Sequence, residues 1–354
     1  MKVVVGMSGG VDSSVAAYLL KKQGHEVIGL TMKSWQEDCA ETGHNVCCGP
    51  QAIHDARSVA EHIGIPYYVI EHRDVFKHEI IDYFIDEYNH GRTPNPCSVC
   101  NKKLKFGSLL VKAKEIGADK IATGHYAGVR EENGRHLLYR AKDREKDQSY
   151  FLSELNQYQL KNICFPLEHL NKSEIRNIAN DAGLPVKDKE DSQEICFVPN
   201  NDYAAFLKKV VPEQLKSGDI VSIDQKVVGQ HQGMQQFTIG QRKGLGAYGK
   251  PKYVVEIDAI QNKVVIGDDQ DLLKNRMTVG RINWIVSDHC PQQIKASVQI
   301  RYRHGGSQAN IQFLNNKALV EFDEPQRAIT PGQVAVFSHG DLVLGGGWIE
   351  EALS

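Results

Sequence analysis

The sequence predicts an α/β protein in which a doubly wound parallel sheet is followed by a small central β-rich domain and a C-terminal antiparallel β-barrel. Strand-like and helix-like segments alternate through residues 1–202, as they do in open parallel sheets. Glycine and short β-like runs dominate residues 217–275. From Thr278 onward, apolar and polar residues alternate with the period of two that is typical of antiparallel strands. We therefore expect domains at residues 1–202, 203–276 and 277–354.

The first segment, KVVVGMSGGVDSS, predicts a strand, an anion-binding turn and a helix. Residues 3–5 are a β-branched run typical of a buried parallel strand, and the valines and leucine of residues 11–19 recur at helical spacing. Gly9 and Gly10 let the backbone approach a ligand closely, and the amides that open a helix favour an anion. No lysine follows these glycines, so the GxxxxGK[ST] loop of nucleoside triphosphatases is excluded.

The following segments continue the alternation. Ligands of doubly wound folds bind beyond the carboxyl ends of the strands, so we expect Met32, Gly124 and the glycine turn to line one nucleotide pocket. A helix that ends at Ile63 would be closed by Gly64. The expected strands are residues 26–32, 67–70 and 120–123, and the expected helices are residues 52–63, a segment ending near Gly91, and about 101–116.

Composition places the chain among ordinary globular proteins. It has 354 residues, 41% of them hydrophobic and 24% charged, which suits two or three domains with their own cores. The net charge of −2 gives no indication of nucleic acid, so any RNA contact must come from local patches. We see no secretion signal and no apolar stretch of membrane-spanning length, and we expect a cytoplasmic protein. In that compartment the 8 cysteines favour reactive or metal-binding thiols over disulfides.

Two cysteine-bearing stretches carry the candidate chemistry. In TPNPCSVCNKKLKF, residues 93–106, the prolines predict a loop, and a helix from about Asn101 would place Cys100 at or just before a helix N-terminus beside three lysines. Both features lower a thiol pKa. Cys97 and Cys100 also form a CxxC pair, half of a zinc site or a dithiol. In DSQEICFVPN, residues 191–200, Cys196 has apolar neighbours typical of an unreactive thiol, but it follows an acidic segment.

The hexapeptide SGGVDS, residues 8–13, resembles the pyrophosphate loop of enzymes that split ATP into AMP and pyrophosphate, which implies a sheet of the ATP-pyrophosphatase type. With the other motifs, it makes the whole chain similar to the bacterial tRNA-specific 2-thiouridylases of the MnmA type. The matching segments are GMSGGVDSS (6–14), TPNPCSVCNKKLKF (93–106), ATGHYA (122–127), KDQSYFL (146–152), EICFV (194–198), FTIGQRKGLG (237–246), IRYRH (300–304) and TPGQVAVF (330–337).

This resemblance implies ATP-dependent sulfur transfer to C2 of the wobble uridine, position 34, in tRNAs for Lys, Glu and Gln. Uracil O2 would be adenylated with release of pyrophosphate, and Mg²⁺ would accompany the phosphates, with Asp12 as a candidate ligand. The ATP-binding residues carried over are Gly6, Met7, Ser8, Gly9, Gly10, Val11, Asp12, Ser13, Met32 and Gly124.

The resemblance also assigns the thiols and the tRNA contacts. Cys196 would carry a persulfide delivered by a cysteine desulfurase or a sulfur-relay protein, Cys100 would be the catalytic nucleophile, and a disulfide between them would close the turnover. The tRNA contacts carried over are His125, Lys146, Asp147, Gln148, Arg301, Tyr302 and Gln333. Structural alternatives remain: His125 could cap its strand, and Tyr302, on the opposite strand face from Arg301, could belong to the core.

Other interpretations stay open. Some family members carry aspartate where Cys97 stands, and Cys97, Cys100 and Cys196 together could hold a [4Fe-4S] cluster whose free iron accepts hydrosulfide. A loop holding Cys39, Cys47 and Cys48 could be a minor metal site, whereas Cys164 and Cys290 are interpreted as structural. Amide ligases use the same pyrophosphate loop without paired thiols, and a non-catalytic RNA-binding protein is the alternative outside the enzymes.

Overall fold

A computed structural model describes residues 1–34, 49–191 and 195–354. The elements of the first part are β1 (Lys2–Gly6), α1 (Val11–Lys22), β2 (Glu26–Lys33), α2 (Pro50–Ile63), β3 (Tyr67–Glu71), α3 (Arg73–Phe76), a π-helical stretch (Lys77–Ile81), α4 (Asp82–Asn89), α5 (Pro96–Cys100), a second π-helical stretch (Asn101–Ser108), α6 (Leu109–Glu115), β4 (Lys120–Thr123), β5 (Ala127–Glu132), β6 (Arg135–Arg140), α7 (Gln157–Lys161), β7 (Ile163–Cys164) and α8 (Lys172–Asp181).

The remaining elements are mostly strands. They are α9 (Tyr203–Val210), β8 (Gly218–Ser222), β9 (Val227–His231), β10 (Tyr253–Asp258), β11 (Lys263–Gly267), β12 (Leu273–Trp284), β13 (Gln293–Gln299), β14 (Ser307–Leu314), β15 (Lys317–Arg327), β16 (Val334–His339) and β17 (Leu342–Leu353). Short 3₁₀ turns lie at Ser149–Leu152, Pro199–Asn201, Pro212–Gln214, Met234–Gln236 and Asp269–Leu272.

The first sheet is parallel, with strand order β3-β2-β1-β4-β7. Strands β1, β2 and β4 are buried on both faces, whereas the edge strand β3 is partly exposed. Val4 belongs to one apolar core, and Val3 and Val5 to another on the opposite side. The second core contains apolar residues of α1, α2 and α8, and the first contains those of α4, α5 and α6. Because helices cover both faces of the sheet, the central strand β1 is apolar on both sides. This arrangement confirms the predicted doubly wound sheet.

The second half is built from two further sheets. The central sheet has the order β10-β11-β8-β9 around a small core of its own. In the C-terminal part, β12-β15-β14-β13-β16-β17 close into an antiparallel barrel through the pairing of β12 with β17. The predicted fold class is therefore confirmed, while the domain limits at residues 202 and 276 stay a prediction.

The barrel is attached to the first domain by strand pairing, which the sequence did not indicate. The hairpin of β5 and β6 continues the barrel sheet because Leu138 pairs with Val343, and Tyr139 with Leu342. The period-two pattern also misplaced the end of β13. This strand stops at Gln299, and residues 300–304 form a turn rather than continuing to Tyr302.

Residues 149–155 connect the first domain to the barrel through buried side chains. The Tyr150 hydroxyl donates to the Val334 carbonyl (2.9 Å), and the Trp348 indole N–H donates to Glu154 (3.1 Å). The Asn283 amide donates to the carbonyls of residues 153 and 155. In the part of the chain that the structure describes, no helix has both the length and the apolar character needed to cross a bilayer.

Replacing Phe84 by alanine should destabilise the protein by about 3–5 kcal/mol, because a buried aromatic ring is lost and leaves a cavity. Its ring is fully buried and makes edge-to-face contacts with Tyr88, Phe197 and Phe206 at centroid distances of 5.0, 5.1 and 6.0 Å. Tyr158→Ala is the control, since that side chain is 60% exposed. Urea unfolding measures both variants, and equal losses of stability would contradict this account of the core.

Candidate active site

The turn between β1 and α1 has the backbone of an anion-binding loop. Gly9 adopts φ +69°, and a Cβ there would lie 2.3 Å from the Ala52 carbonyl oxygen, so only glycine fits. Gly10 is the N-cap of α1, and no side chain caps the amides that open this helix. The Ser14 hydroxyl donates to the Gly10 carbonyl (2.8 Å) and braces the turn. An anion at this helix start would meet N–H groups and the positive end of the helix dipole.

The predicted nucleotide-binding residues meet at one edge of the parallel sheet. Gly6, the last residue of β1, is paired with Leu30 of β2 and Thr123 of β4, so Met32 and Gly124 follow at the same edge. A Cβ on Gly124 would lie 2.5 Å from the Ser13 nitrogen. The loop after β4 therefore packs directly on the first turn of α1, an approach that needs glycine.

Cations from distant segments surround this loop. Lys172, at the start of α8, binds Asp12 (2.7 Å) and Asp191 (2.6 Å), and its side chain is only 14% exposed. Lys146 also binds Asp191 (2.7 Å). Lys189 donates to the Gly9 carbonyl (3.0 Å). The positive charge that the loop sequence itself lacks is thus supplied by residues more than a hundred positions away.

Lys146, Lys172, Asp12 and Asp191 form an ionic cluster that also includes Arg176 and the Tyr126 hydroxyl. Arg176 is a third cation on Asp191 (3.2 Å), and Tyr126 donates to Asp12 (2.8 Å). Burial alone would raise the pKa of Asp191, but the hydrogen bonds from its two lysines outweigh it and lower that pKa. The same bond raises the pKa of Lys146. Both shifts favour the charged forms of Asp191 and Lys146.

The first pair of cysteines lies on a helix that begins earlier than the sequence indicated. Asn95 is the N-cap and accepts from the Ser98 amide (3.1 Å), with Pro96 opening the helix. The backbone of Cys100 is already helical, at φ −60° and ψ −43°. The prediction that Cys100 lies at or just before the N-terminus was wrong: that turn carries Cys97, because proline is well suited to the first helical position.

A π-helical stretch follows Cys100 directly. Residues 101–108 widen the helix, which leaves carbonyl groups without their usual partners. The buried amide of Gln159 donates to the carbonyls of Lys102 (2.8 Å) and Phe106 (2.9 Å). π-Helical segments occur frequently at functional sites. The two hydrogen bonds from Gln159 attach this segment to α7, directly after the helix that carries Cys97 and Cys100.

Cys196 is positioned by the aromatic residue that follows it. Phe197 is buried between Phe76 and Phe206, with centroid distances of 5.7 and 5.5 Å. Cys100 and Cys196 both border the apolar core that contains Met32. None of the described cysteines, at positions 97, 100, 164, 196 and 290, is disulfide-bonded.

Among the cysteines that the structure describes, no preformed cluster site is found. Within residues 1–34, 49–191 and 195–354, no three His, Cys, Asp or Glu side chains are grouped as ligands of a metal ion. The three-thiol arrangement of Cys97, Cys100 and Cys196 is therefore not assembled in this structure. Cys39, Cys47 and Cys48 lie outside the described residues.

Three predicted tRNA-contacting residues of the first domain have partners within the protein. His125 is buried against Phe106 and Phe165, and its Nδ1 lies 2.7 Å from the Thr123 hydroxyl. Burial and the charge of Lys105 keep the pKa of His125 well below its usual value, so the ring is neutral. Asp147 accepts from the Ala141 and Ser149 amides, and Gln148 exchanges two hydrogen bonds with the Tyr126 backbone.

The predicted contacts of the barrel lie on its side facing these loops. The Gln333 amide donates to the carbonyls of Thr93 (3.1 Å) and Pro94 (3.0 Å), so it holds the loop that precedes Cys97. The ring of Tyr302 stacks obliquely on that of Phe151, with the centroids 4.5 Å apart, and lies near enough to Lys146 and Asp147 to interact with their charges. Arg301 is exposed and donates to the Arg327 carbonyl (3.1 Å). The structure thus gathers Tyr302 and Gln333 beside first-domain loops and leaves the Arg301 side chain on the surface.

Comparison with known proteins assigns the chain to a family. Family models described as "tRNA methyl transferase HUP domain", "tRNA methyl transferase PRC-barrel domain" and "Aminomethyltransferase beta-barrel domain" match residues 1–200, 204–268 and 274–349. The tRNA-specific 2-thiouridylase MnmA of Clostridium acetobutylicum is 49% identical over 99% of both chains. The tRNA-specific 2-thiouridylase MnmA 2 of Clostridium tetani is 50% identical over 99% of this chain and 98% of its own.

The chain belongs to the family of tRNA-specific 2-thiouridylases. The family models are described as domains of methyl transferases, whereas the relatives are named as thiouridylases. The relatives carry more weight, because each aligns with this chain over almost its whole length at 49% or 50% identity. Among solved structures, an NMN synthetase from Francisella tularensis aligns at a TM-score of 0.33 and 18% identity, covering 54% of this chain and 66% of its own. A similarity of that size carries no functional argument.

Several residues of this candidate site were not predicted from the sequence. No local sequence pattern indicates that Lys172, Lys189 and Arg176 lie near the loop. Lys172 and Arg176 belong to a polar helical sequence, and Lys189 to a charged segment. Gln159 is part of a capping box that begins at Asn156, a signal that indicates a helix start but not a contact with the Cys100 helix. Tertiary contact alone reveals these four side chains.

The thiol of Cys164 should be unreactive in this 2-thiouridylase. Burial raises its pKa to about 11, which the charge of Lys120 offsets only in part. At pH 8, iodoacetamide should modify Cys164 at least about tenfold more slowly than an unperturbed cysteine, and the rate should rise as the pH approaches 11. Peptide mapping by mass spectrometry measures the rate, with the urea-unfolded protein as control. Equal rates in the folded and unfolded protein would contradict the structural role assigned to Cys164.

Proposed function

We propose that this chain transfers sulfur to C2 of the wobble uridine, position 34, of tRNA, using ATP to activate the uracil O2 atom. One observation carries the proposal: the chain of contacts Asp12, Lys172, Asp191 runs from the pyrophosphate loop to the segment that leads to Cys196. The loop proposed to bind ATP and the carboxylate of Asp191, five residues before Cys196, thereby share one ionic cluster. The relatives' printed names support the same reaction.

The residues at the C-terminal ends of the parallel strands would bind and activate ATP. The amides of residues 9–13 and the dipole of α1 suit the phosphates, and Lys172 and Lys146 supply charge for the pyrophosphate that leaves. Uracil O2 attacks the α-phosphorus, its bond to pyrophosphate breaks, and an O2-adenylated base results. Mg²⁺ suits the site as a partner of the phosphates, since Asp12 offers one carboxylate and Mg²⁺ in such sites takes most of its ligands from phosphate and water.

The thiols of Cys100 and Cys196 would carry out the sulfur transfer. A cysteine desulfurase or a relay protein would load Cys196 as a persulfide. The terminal sulfur attacks C2, and the Cys100 thiolate attacks the Cys196 sulfur, which forms the Cys100–Cys196 disulfide, leaves sulfur on C2 and expels AMP. In the alternative order, Cys100 first releases hydrosulfide, which then attacks C2. Both orders consume one persulfide and one thiol and give one disulfide.

The uridine must leave the anticodon stack to reach these thiols, and the protein has to replace the lost stacking. Tyr302 and Phe151 present an aromatic surface beside Lys146, and Arg301 is exposed for a phosphate contact. Neutral His125 can hydrogen-bond to a base without placing a charge in a buried site. Gln333 contributes by holding the loop before Cys97. The tRNAs for Lys, Glu and Gln are the expected substrates.

A sulfur-transfer assay with ATP, Mg²⁺, cysteine, a cysteine desulfurase and unmodified tRNA tests the proposal. The wild type should form 2-thiouridine and release pyrophosphate only when tRNA is present. Cys100→Ser and Cys196→Ser should abolish thiouridine, a loss of at least about a thousandfold, yet retain pyrophosphate release, because adenylation precedes the thiol chemistry. Cys290→Ser is the matched control. Mass spectrometry of the nucleosides detects the product.

The competing functions give different results in this assay. An amide ligase would release pyrophosphate without tRNA and would be indifferent to both serine variants. An RNA-binding protein would release none. Thiouridine formed only after anaerobic iron–sulfur reconstitution, and lost in Cys97→Ala, would replace the persulfide mechanism with a cluster.

Gly124→Ala should weaken ATP binding by at least about tenfold, because the added methyl group collides with the backbone of Asp12 and Ser13 at the start of α1. Gly305→Ala is the control, since a Cβ there meets no atom within 4 Å. Isothermal titration with a non-hydrolysable ATP analogue measures both variants. Unchanged binding in Gly124→Ala would remove the start of α1 from the nucleotide site.

A further inference from the structure

The turn at residues 240–246, GQRKGLG, has no role in the proposed function. It lies in the central domain, between the 3₁₀ turn at Met234–Gln236 and β10. Gly240 and Gly244 adopt φ angles of +85° and +81°, which glycine reaches without the strain of a side chain. The path of the turn is therefore set by its backbone.

Side-chain contacts hold this turn in place, although it lies on the surface. The Gln241 amide oxygen accepts from the Tyr203 hydroxyl (2.9 Å) and from the Thr238 N–H (3.1 Å). Its amide nitrogen donates to the Lys243 carbonyl (2.9 Å). Leu245 is only 4% exposed and packs in the core of the central domain. A turn with these fixed contacts loses little conformational entropy when a ligand binds to it.

The turn presents positive charge that the protein does not neutralise. Arg242 and Lys243 are exposed, and within the described residues neither side chain makes an ion pair or a hydrogen bond. The same holds for Lys250, which follows the turn. Residues 225–255 contain no aspartate or glutamate, although the whole chain has a net charge of −2. This segment is therefore a local basic patch of the kind that contacts nucleic acid.

The backbone of the turn offers further hydrogen-bond donors. The N–H groups of Gly240 and Gln241 donate to the carbonyls of Val254 and Thr238. Those of residues 242–246 donate to no group in the part of the chain that the structure describes. Arginine and lysine side chains and backbone N–H groups are the donors that bind phosphate oxygens in protein–nucleic acid interfaces. The turn therefore combines the two kinds of donor that a phosphate needs.

The start of the turn lies beside a barrel residue that holds Arg301. A Cβ on Gly240 would lie 3.1 Å from the Ala328 Cβ and 3.7 Å from a guanidinium nitrogen of Arg327. The Arg327 carbonyl accepts from the exposed Arg301 side chain (3.1 Å). The Arg327 guanidinium binds Asp269 (2.8 Å). Arg301 and the turn are thus neighbours of the same residue, at the junction of the central domain and the barrel.

We propose that residues 240–246, which we call the basic turn, bind the sugar–phosphate backbone of tRNA, with Arg242 and Lys243 as the contacting cations. The inference rests on the proposed function, since it takes tRNA as the ligand. Continuity with Arg301 favours RNA over an acidic protein surface. Phosphate contacts carry no sequence information, so the basic turn adds affinity and orientation for any tRNA. The central domain thereby becomes part of the RNA-binding surface.

The double variant Arg242→Ala/Lys243→Ala tests the inference. It should bind unmodified tRNA about tenfold more weakly at about 0.1 M salt, because it releases fewer counterions from the RNA. The slope of log Kd against log salt concentration should fall by about 2, one for each lost contact. Fluorescence anisotropy with labelled tRNA at several salt concentrations measures both quantities. The loss should be the same for a tRNA without a wobble uridine.

The kinetics separate this binding role from a catalytic one. In the sulfur-transfer assay, the KM for tRNA should rise in the double variant while kcat stays unchanged, because a phosphate contact is equally strong in the ground and transition states. Arg242→Lys/Lys243→Arg keeps both charges and should bind tRNA like the wild type. Thermal unfolding of all variants shows whether each one is folded.

Lys208→Ala/Lys209→Ala is the matched control. It also removes two exposed cations, from the last turn of α9 and outside the basic turn. It should leave the tRNA affinity and the salt slope unchanged. A loss equal to that of Arg242→Ala/Lys243→Ala would show that only the net charge of the protein matters, and it would contradict a site at the basic turn.

Unchanged tRNA affinity in Arg242→Ala/Lys243→Ala, or weaker binding with an unchanged salt slope, would overturn the inference. Slower persulfide loading of Cys196 by the desulfurase, at unchanged tRNA affinity, would also overturn it and assign the basic turn to a protein partner. The proposed function fails separately. If the basic turn binds tRNA as described and no 2-thiouridine is formed, the function is wrong and the site stands. If 2-thiouridine is formed and the double variant binds tRNA normally, the inference alone is wrong.

Discussion

Charge compensation at the start of α1 is the constraint on which the rest of this structure depends. In the proposed function, the loop before α1 binds the phosphates of ATP through its backbone amides, but amides alone do not balance the charge of a triphosphate. In this protein the missing cations come from Lys146, Lys172 and Lys189, which lie far from the loop in the chain. The α8 start and the segment before Cys196 must therefore pack against α1 for the site to exist.

That requirement links the two chemical halves of the site. Lys189 and Asp191 belong to the same short segment, and both are fixed near the loop by ion pairs or hydrogen bonds. Cys196 follows a few residues later, anchored by Phe197 in the core that Cys100 also borders. Ionic contacts and hydrogen bonds thus hold Lys189 and Asp191 beside the loop, and apolar contacts hold Phe197 in the core.

The barrel takes part in the site through contacts that hold the catalytic loops from outside. Gln333 binds the carbonyls before Cys97, Tyr150 binds the barrel backbone, and the hairpin of β5 and β6 extends the barrel sheet. Several residues first expected to touch tRNA, among them Asp147 and Gln148, use their polar atoms within the protein. Their contribution to tRNA binding would come from holding neighbouring side chains such as Lys146 in place.

The sequence by itself determined the fold class and the first elements of the parallel sheet, in their order. Apolar β-branched runs and helical spacing are local signals, and they placed β1, β2, β4, α2 and the glycine turn within a residue or two. The sequence misplaces the start of the helix around Cys100 because prolines are typical of loops as well as of helix starts, and Pro96 opens this helix. The end of β13 was misplaced because residues 300–302 continue the alternation after the strand pairing has stopped.

Only the tertiary structure decided which charged side chains form the site. A lysine on a helix surface has the same local pattern whether it faces water or a nucleotide loop, so Lys172 and Arg176 could not be distinguished from their neighbours. The same holds for Gln159 and the π-helical stretch, which depend on packing between α7 and the Cys100 helix. Local patterns specify conformation through backbone sterics and periodic burial, whereas an ionic cluster depends on distances between segments that are set only when the sheet and its helices assemble.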